Sequence, residues 1–341
     1  MPIVEHLVAE VFGSHIGKYS ERLKLTKGKE VLAQAPLLHL QSVVIASRGV
    51  SISADALEAC CERGIPVQFL ANDGNPYAAI YAPGLTGTVL TRREQLMAYY
   101  DRRGVQLAIA FARGKIANQA ATLKYMAKSR TETAPEMAAE LKLAALEVLD
   151  YLAWIDRLEG ETLDNVRGTI LAAEGNAAQR YWNCIQGIVP ADYGWPGRKT
   201  RGATDPINSL LNYGYGILYQ QIQRAIILAG LDPYAGFIHT DRPGKPSLVL
   251  DLIEEFRQVA VDRIVFGLVN RNFTVEQDEK GLLSADTRKR FAEKVLEHFE
   301  VNVSYLGKKF PLRAVFQMQA REIAAFVRGQ REAYEPFKAS W

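Results

Sequence analysis

Pro83-Gly84-Leu85-Thr86-Gly87 divides the chain into two parts of different hydrophobic period. Proline removes a backbone donor and glycine favours open conformations, so neither a strand ladder nor a helix runs easily through such a segment. Upstream, Glu30 to Gln34, Val43-Val44-Ile45-Ala46, Val67-Gln68-Phe69-Leu70 and Ala78-Ala79-Ile80-Tyr81 are short apolar runs. Lys27-Gly28-Lys29, Ser47-Arg48-Gly49 and Asn72-Asp73-Gly74-Asn75-Pro76 separate them as turns, and the pattern predicts strands. Ser53 as N-cap and Gly64 as terminator bracket one helix, Ala54 to Arg63. Downstream, apolar residues recur every three or four positions. They predict helices over Arg92 to Arg102, Val105 to Ser129, Met137 to Leu158, Thr162 to Cys184, Asn208 to Ala229, Pro246 to Asn270, Ala285 to Glu300 and Leu312 to Gly329.

The chemistry concentrates in one of these helices and the loop before it. Gly236-Phe237-Ile238-His239-Thr240-Asp241-Arg242-Pro243-Gly244-Lys245-Pro246 leads into Ser247-Leu248-Val249-Leu250-Asp251-Leu252-Ile253-Glu254-Glu255-Phe256-Arg257. On a 3.6-residue helix Asp251 and Glu254 share a face with Glu255, Gln258 and Asp262, opposite Leu252, Phe256, Ala260 and Ile264. Two readings stand: a solvated polar face beside a loop histidine, or a cation site. An imidazole with clustered carboxylates suits a hard or borderline divalent ion, Mg²⁺ or Mn²⁺. Glu174 adds a charge inside the small and apolar run Leu171 to Trp182, where it needs a partner. Glu174, His239 and Glu254 together would make a three-ligand metal site with open positions, and Asp251 would serve as a further ligand or fix one.

These segments resemble the CRISPR-associated adaptation endonuclease/integrase family, which inserts new spacers into a CRISPR array. The family pattern has a glutamate in E-G-x-A-A-x-x-Y-W, a G-F-x-H loop and L-D-L-x-E-E-F-R-x-x-x-x-D-R. All three are present in order, with Asp205-Pro206-Ile207-Asn208-Ser209-Leu210-Leu211-Asn212-Tyr213-Gly214-Tyr215, Arg92-Arg93-Glu94-Gln95 and Lys115-Ile116-Ala117-Asn118-Gln119 also similar to family segments. The resemblance covers nearly the whole chain. It implies an α+β multidomain fold, with a small β-rich, β-sandwich-like dimerisation domain at 1–88 and a larger all-helical catalytic domain at 89–341. It also implies metal-dependent DNA endonuclease and integrase chemistry, in which 3′-hydroxyls of a captured fragment attack repeat–leader phosphodiesters. Glu174, His239, Glu254 and Asp251 would be the catalytic residues, the first three binding Mg²⁺ or Mn²⁺. The implied partners are double-stranded and branched DNA, a second copy of the chain and a small ferredoxin-fold Cas adaptation subunit.

At 341 residues and 48% hydrophobic, the chain can bury a sizeable core in two domains. No apolar run reaches 18 residues and the N-terminus has no basic-then-apolar leader, so no membrane span or signal peptide is expected. Cys60, Cys61 and Cys184 form neither a metal spacing nor a disulfide framework, which points to the cytoplasm. The net charge of +3 conceals an asymmetry. Residues 91–130 hold nine Lys/Arg against two acids, and residues 131–166 hold two against nine. The basic stretch either contacts DNA phosphate or is neutralised by the acidic one in a helical hairpin. Arg92, Arg93, Lys115, Arg242 and Lys245 are the expected DNA contacts, whereas Asn118 and Gln119 are expected to pack. The basic loop Pro190 to Gly202 is expected to be mobile and to guide a strand. Glu255 and Arg257 are expected to form structural ion pairs. A stand-alone nuclease or branched-DNA resolvase outside CRISPR adaptation, and a non-catalytic DNA-binding scaffold, remain as alternatives.

Overall fold

The computed structural model describes residues 6–40, 42–71, 76–80, 89–158 and 162–340. It begins with β1 (His6–Ala9), β2 (His15–Tyr19), β3 (Arg22–Lys27), β4 (Glu30–Pro36), β5 (Ser42–Ile45) and β6 (Ser51–Ile52). Helix α1 (Ala54–Glu62) and strands β7 (Val67–Leu70) and β8 (Pro76–Ile80) follow. The strands form two four-stranded sheets, β4-β3-β2-β6 and β1-β5-β7-β8. In the second sheet β5 is parallel to both β1 and β7. Parallel strands are generally covered on both faces, and every residue of β5 is buried. Val43 and Ile45 join Leu7, Ile16 and Leu23 in an N-terminal core, while Val44 joins the helical core. The sheet therefore forms a floor on which the helices sit.

The cap residues behave as their chemistry requires. Ser53 Oγ accepts the Ala56 amide at 3.2 Å to start α1, and Gly64 takes φ +64° just after it. The Pro83 to Gly87 boundary lies outside the described residues. The last strand before it ends at Ile80, and the first helix after it starts at Val89.

From there the chain is mainly helical: α2 (Val89–Ala98), α3 (Arg102–Lys128), α4 (Pro135–Asp150), α5 (Leu152–Asp156), α6 (Leu163–Ile188) and α7 (Pro206–Leu228). Then come α8 (Ser247–Ile253), α9 (Arg263–Val269), α10 (Ala285–Phe299), the hairpin β9 (Asn302–Tyr305) and β10 (Lys308–Pro311), and α11 (Leu312–Val327). The helix expected over Met137 to Leu158 is two, divided at Tyr151. The helix expected over Pro246 to Asn270 is also interrupted: α8 ends at Ile253, and a π-helical turn, Gln258–Asp262, precedes α9. Such turns insert a residue into the helical ladder and rotate everything after it. Gly214 of α7 permits the close approach this needs, because a Cβ there would lie 2.6 Å from Val261 Cγ1.

The helical pair α3 and α4 does not neutralise itself in the way the charge asymmetry allows. Glu140 and Glu147 of α4 pair with Arg180 of α6. Within the basic stretch only Arg113, on Asp156, is paired with the acidic stretch among the described residues. The Pro190 to Gly202 loop is also more anchored than expected. Trp195 is buried against Trp182 and Phe266, and Arg198 donates to Asn208 Oδ1 at 3.1 Å and Asn212 Oδ1 at 2.8 Å.

Candidate active site

Two glutamates from separate helices converge on one ammonium. Glu174, midway along α6, and Glu254, immediately after α8, both contact Lys115 of α3. Lys115 Nζ is 2.8 Å from Glu254 Oε2 and bridges to Glu174 Oε1. All three are largely withdrawn from water, and burial opposes each charge. Burial disfavours the Lys115 ammonium, but Glu174 and Glu254 outweigh it and raise its pKa. Burial likewise works against the Glu254 carboxylate, yet Arg257 and Lys115 hold its pKa down at about 2. Arg257 Nη2 lies 3.2 Å from Glu254 Oε1. The solvated-face reading of this helix is thereby overturned, since Asp251, Glu254, Glu255, Gln258 and Asp262 are all buried.

His239 stands beside this cluster in a loop fixed by Asp251. Asp251 is fully buried in α8, and its carboxylate accepts the amides of Phe237 at 2.6 Å, Ile238 at 3.1 Å and His239 at 3.0 Å. Asp251 Oδ1 also lies 2.7 Å from His239 Nδ1. A carboxylate only accepts, so Nδ1 carries the proton and the neutral ring keeps its lone pair on Nε2. Of the two roles expected for Asp251, fixing another group describes this geometry. Gly236 allows the loop to lie this close to α8: a Cβ there would be 2.6 Å from the Ser247 carbonyl carbon and 2.8 Å from Asp251 Oδ2.

The three expected metal ligands are therefore neighbours, but their atoms do not meet at one point. Among the described residues no three His, Cys, Asp or Glu side chains lie close enough to share an ion. Lys115 occupies the position between the carboxylates instead. The donor set nevertheless fits a hard or borderline divalent ion: two carboxylates and an imidazole with Nε2 available, with Glu174 Oε2 buried and lacking a hydrogen-bond partner among the described residues. Such an ion would have to displace the ammonium.

Other expected residues separate by environment. Arg92 and Arg93 are exposed on α2. Arg242 is exposed and Lys245 half-buried, in a turn closed by the Lys245 amide on the Arg242 carbonyl at 3.0 Å. Arg242 and Lys245 line one cavity with Leu96 of α2, the helix that carries Arg92 and Arg93. Gln95, a residue the sequence reading left without a role, staples the two together. Its amide donates to Asp232 O at 2.9 Å and Ala235 O at 2.7 Å, and its oxygen accepts the Asp232 amide at 2.8 Å. Asn118 packs as expected, donating to the Glu255 and Phe337 carbonyls and accepting the Ala339 amide.

Glu255 departs from expectation. It forms no ion pair among the described residues but accepts from Tyr334 OH at 2.7 Å, the Phe337 amide at 2.9 Å and Gln319 at 3.1 Å. Burial pushes its carboxyl up to about 8. Arg257 forms the expected ion pair with a helical neighbour, Glu254, through which it also reaches the site, and lies 4.8 Å over the Tyr215 ring. Tyr215 and Tyr181 both donate to Asp262, whose pKa burial raises to about 6 against their opposing effect. The π turn brings Asp262 to these tyrosines. Nothing in a regular helical pattern signals that turn.

A β-floored helical protein with acids, an imidazole and fixed cations in one cluster has the makings of a phosphodiester-processing enzyme. Residues 7–297 match the family described as CRISPR associated protein Cas1, and the chain belongs to that family. A relative from Archaeoglobus fulgidus, named CRISPR-associated endonuclease Cas1 1, is 37% identical over 98% of this chain and 99% of its own. The fold is similar to a casposase bound to integration product (TM-score 0.83, 22% identity, 97% of this chain and 93% of that one). It is also similar to a chain of a Cas6-RT-Cas1–Cas2 complex (TM-score 0.75, 21% identity, 98% of this chain and 36% of that one).

Proposed function

We propose that the chain is a metal-dependent DNA endonuclease and integrase of CRISPR adaptation, joining captured DNA to a repeat through its 3′-hydroxyls. One observation carries the reading: buried Glu174 and Glu254 converge on a single cationic point beside a histidine whose Nε2 lone pair is kept available by Asp251. Glu174, Glu254 and His239 would hold Mg²⁺ or Mn²⁺. When bound, the ion supplies Lewis acidity to the scissile phosphate. Asp251 orients His239, and Arg257 keeps Glu254 ionised and aimed. Once displaced from the carboxylates, Lys115 carries a positive charge that can meet a phosphate oxygen. Arg92, Arg93, Arg242 and Lys245 would contact DNA around the site.

The similarity to an enzyme caught with its integration product and to a Cas1–Cas2 assembly supports the DNA and Cas partners. The strand-rich part, 1–88, would pair two copies, because joining two DNA ends takes two sites. No described helix is long and apolar enough to cross a membrane, and we place the protein in the cytoplasm. The Lys115 bridge favours a second reading, a DNA-binding scaffold whose acids are already neutralised. One experiment separates the two: integration of a short duplex into supercoiled repeat-bearing DNA by wild type and Glu254→Gln. Loss of roughly a hundredfold or more, with the melting temperature held, is expected. Unchanged Mn²⁺-dependent nicking in the variant would remove this site from the chemistry.

A further inference from the structure

A well-defined cavity among the described residues lies away from the site, between the C-terminal end of α3, α9 and α10. Its volume is about 590 Å³, and Tyr125, Arg130, Arg263, Gly267, Arg271 and Lys294 are among the residues that line it. Four cations face one acid, Glu297, which is itself engaged by Lys294 at 2.9 Å. His298, also in the wall, turns its Nε2 to the Val259 carbonyl at 2.9 Å. Arg130 donates to the Met126 carbonyl at 3.1 Å and Ser129 Oγ at 3.4 Å, with no carboxylate partner among the described residues. Arg263 is laid over the Tyr125 ring at 4.4 Å, which fixes its planar fork. Gly267 leaves open space where a side chain would stand.

Like charges gathered in a recess repel one another and are stabilised by a bound anion. A guanidinium fork suits phosphate in particular. Tyr125 also lines an adjoining cavity of about 420 Å³ with Lys124 and Lys128, neither of which has an ion pair among the described residues. The cations thus continue along α3. Tyr125 is ten positions beyond Lys115, about 15 Å along the helix axis, a distance spanned by about four phosphates of one DNA strand.

We propose that this cavity, with Lys124 and Lys128 beside it, is a second phosphate-binding site that holds the backbone of duplex DNA extending away from the reacting end. It rests on the reading that the protein acts on DNA. A spread of cations over two adjoining recesses matches a repeating backbone better than a single nucleotide.

The test compares wild type with Arg130→Ala/Arg271→Ala in the full chain. Fluorescence anisotropy would follow binding of a duplex of about 40 bp and one of about 10 bp across a salt series. The variant is expected to bind the long duplex about tenfold more weakly, with a log affinity versus log salt slope shallower by about 2. The short duplex should show a much smaller change. An unchanged melting temperature and preservation of the slope in Arg130→Lys/Arg271→Lys would mark the effect as charge. Overlaying salt curves for wild type and the double alanine variant would overturn the proposal. So would displacement of the long duplex by micromolar deoxyadenylate, which would assign the cavity to a free nucleotide. Failure of wild type to bind either duplex would instead overturn the functional reading, and this inference with it.

Discussion

Lys115 holds together two carboxylates that would otherwise repel. Replacing it by methionine removes the one cation that, among the described residues, touches both Glu174 and Glu254, and leaves two buried acids facing each other. Lys115→Met should therefore melt earlier than wild type in chelator, by an amount equivalent to about 3 kcal/mol. Added Mn²⁺ should raise its melting temperature more than it raises that of wild type, because the ion no longer competes with an ammonium. Equal shifts in the two proteins would show that the ion binds elsewhere. Asp251 gives a second test at this scale. Its carboxylate accepts three amides and the His239 ring, and asparagine would turn a donor toward one of them. Asp251→Asn should lower integration by about 10- to 100-fold through a misaligned His239, and ¹⁵N chemical shifts of the ring would report the lost Nδ1 contact.

At the scale of elements, α3 is the helix to which the C-terminal segment is tied. Asn118 serves the Glu255 carbonyl, the Phe337 carbonyl and the Ala339 amide, all buried or nearly so. Asn118→Ala leaves these groups unpaired, and a loss of about 2 to 4 kcal/mol is expected in denaturant titration, with an unaltered salt dependence of DNA binding. The sequence revealed strands where apolar residues run together. Strands β5 and β7 lie in the covered sheet and read as continuous apolar runs. Strands β2 and β3 escaped because Lys18, Arg22, Lys24 and Lys27 break up their apolar residues, although Arg22-Leu23-Lys24-Leu25-Thr26-Lys27 alternates cleanly. The β9–β10 hairpin escaped because its two-residue turn is Leu306-Gly307, with φ of 48° and 74°, rather than the usual Asn-Gly. Glu174, His239, Glu254 and Asp251 were legible as residues from their motifs. The position of Lys115 between two of them was not, since 59 residues separate it from Glu174.

Across the whole molecule, the strand-rich part meets the helices at a seam that contains an ionisable group. Glu10 follows β1, is buried, and has Oε1 without a hydrogen-bond partner among the described residues. Burial raises its pKa from 4.5 to about 7, against the pull of Arg288 and Lys289 on α10. The folded state therefore binds this proton more tightly than the unfolded chain. Its contribution is fully present below the unfolded value of 4.5 and is lost as pH rises through about 7. Glu10→Gln should match wild type in stability near pH 4 and exceed it by about 2 kcal/mol near pH 8.5. Parallel pH–stability curves would show that the seam does not titrate.

The hydrogen bonds that Asn118 and Glu255 make to the segment around Phe337 also have a meaning in time. Asn118 and Ala339 are 221 residues apart. A ribosome that has delivered the chain as far as Glu255 has delivered every acid of the site, but not the residues that donate to Glu255. Until Tyr334 and Phe337 emerge, the Glu255 carboxylate lacks two of its three donors among the described residues. The helix that carries Glu254 thus gains this backing only after a further 79 to 82 residues have followed Glu255 out of the ribosome.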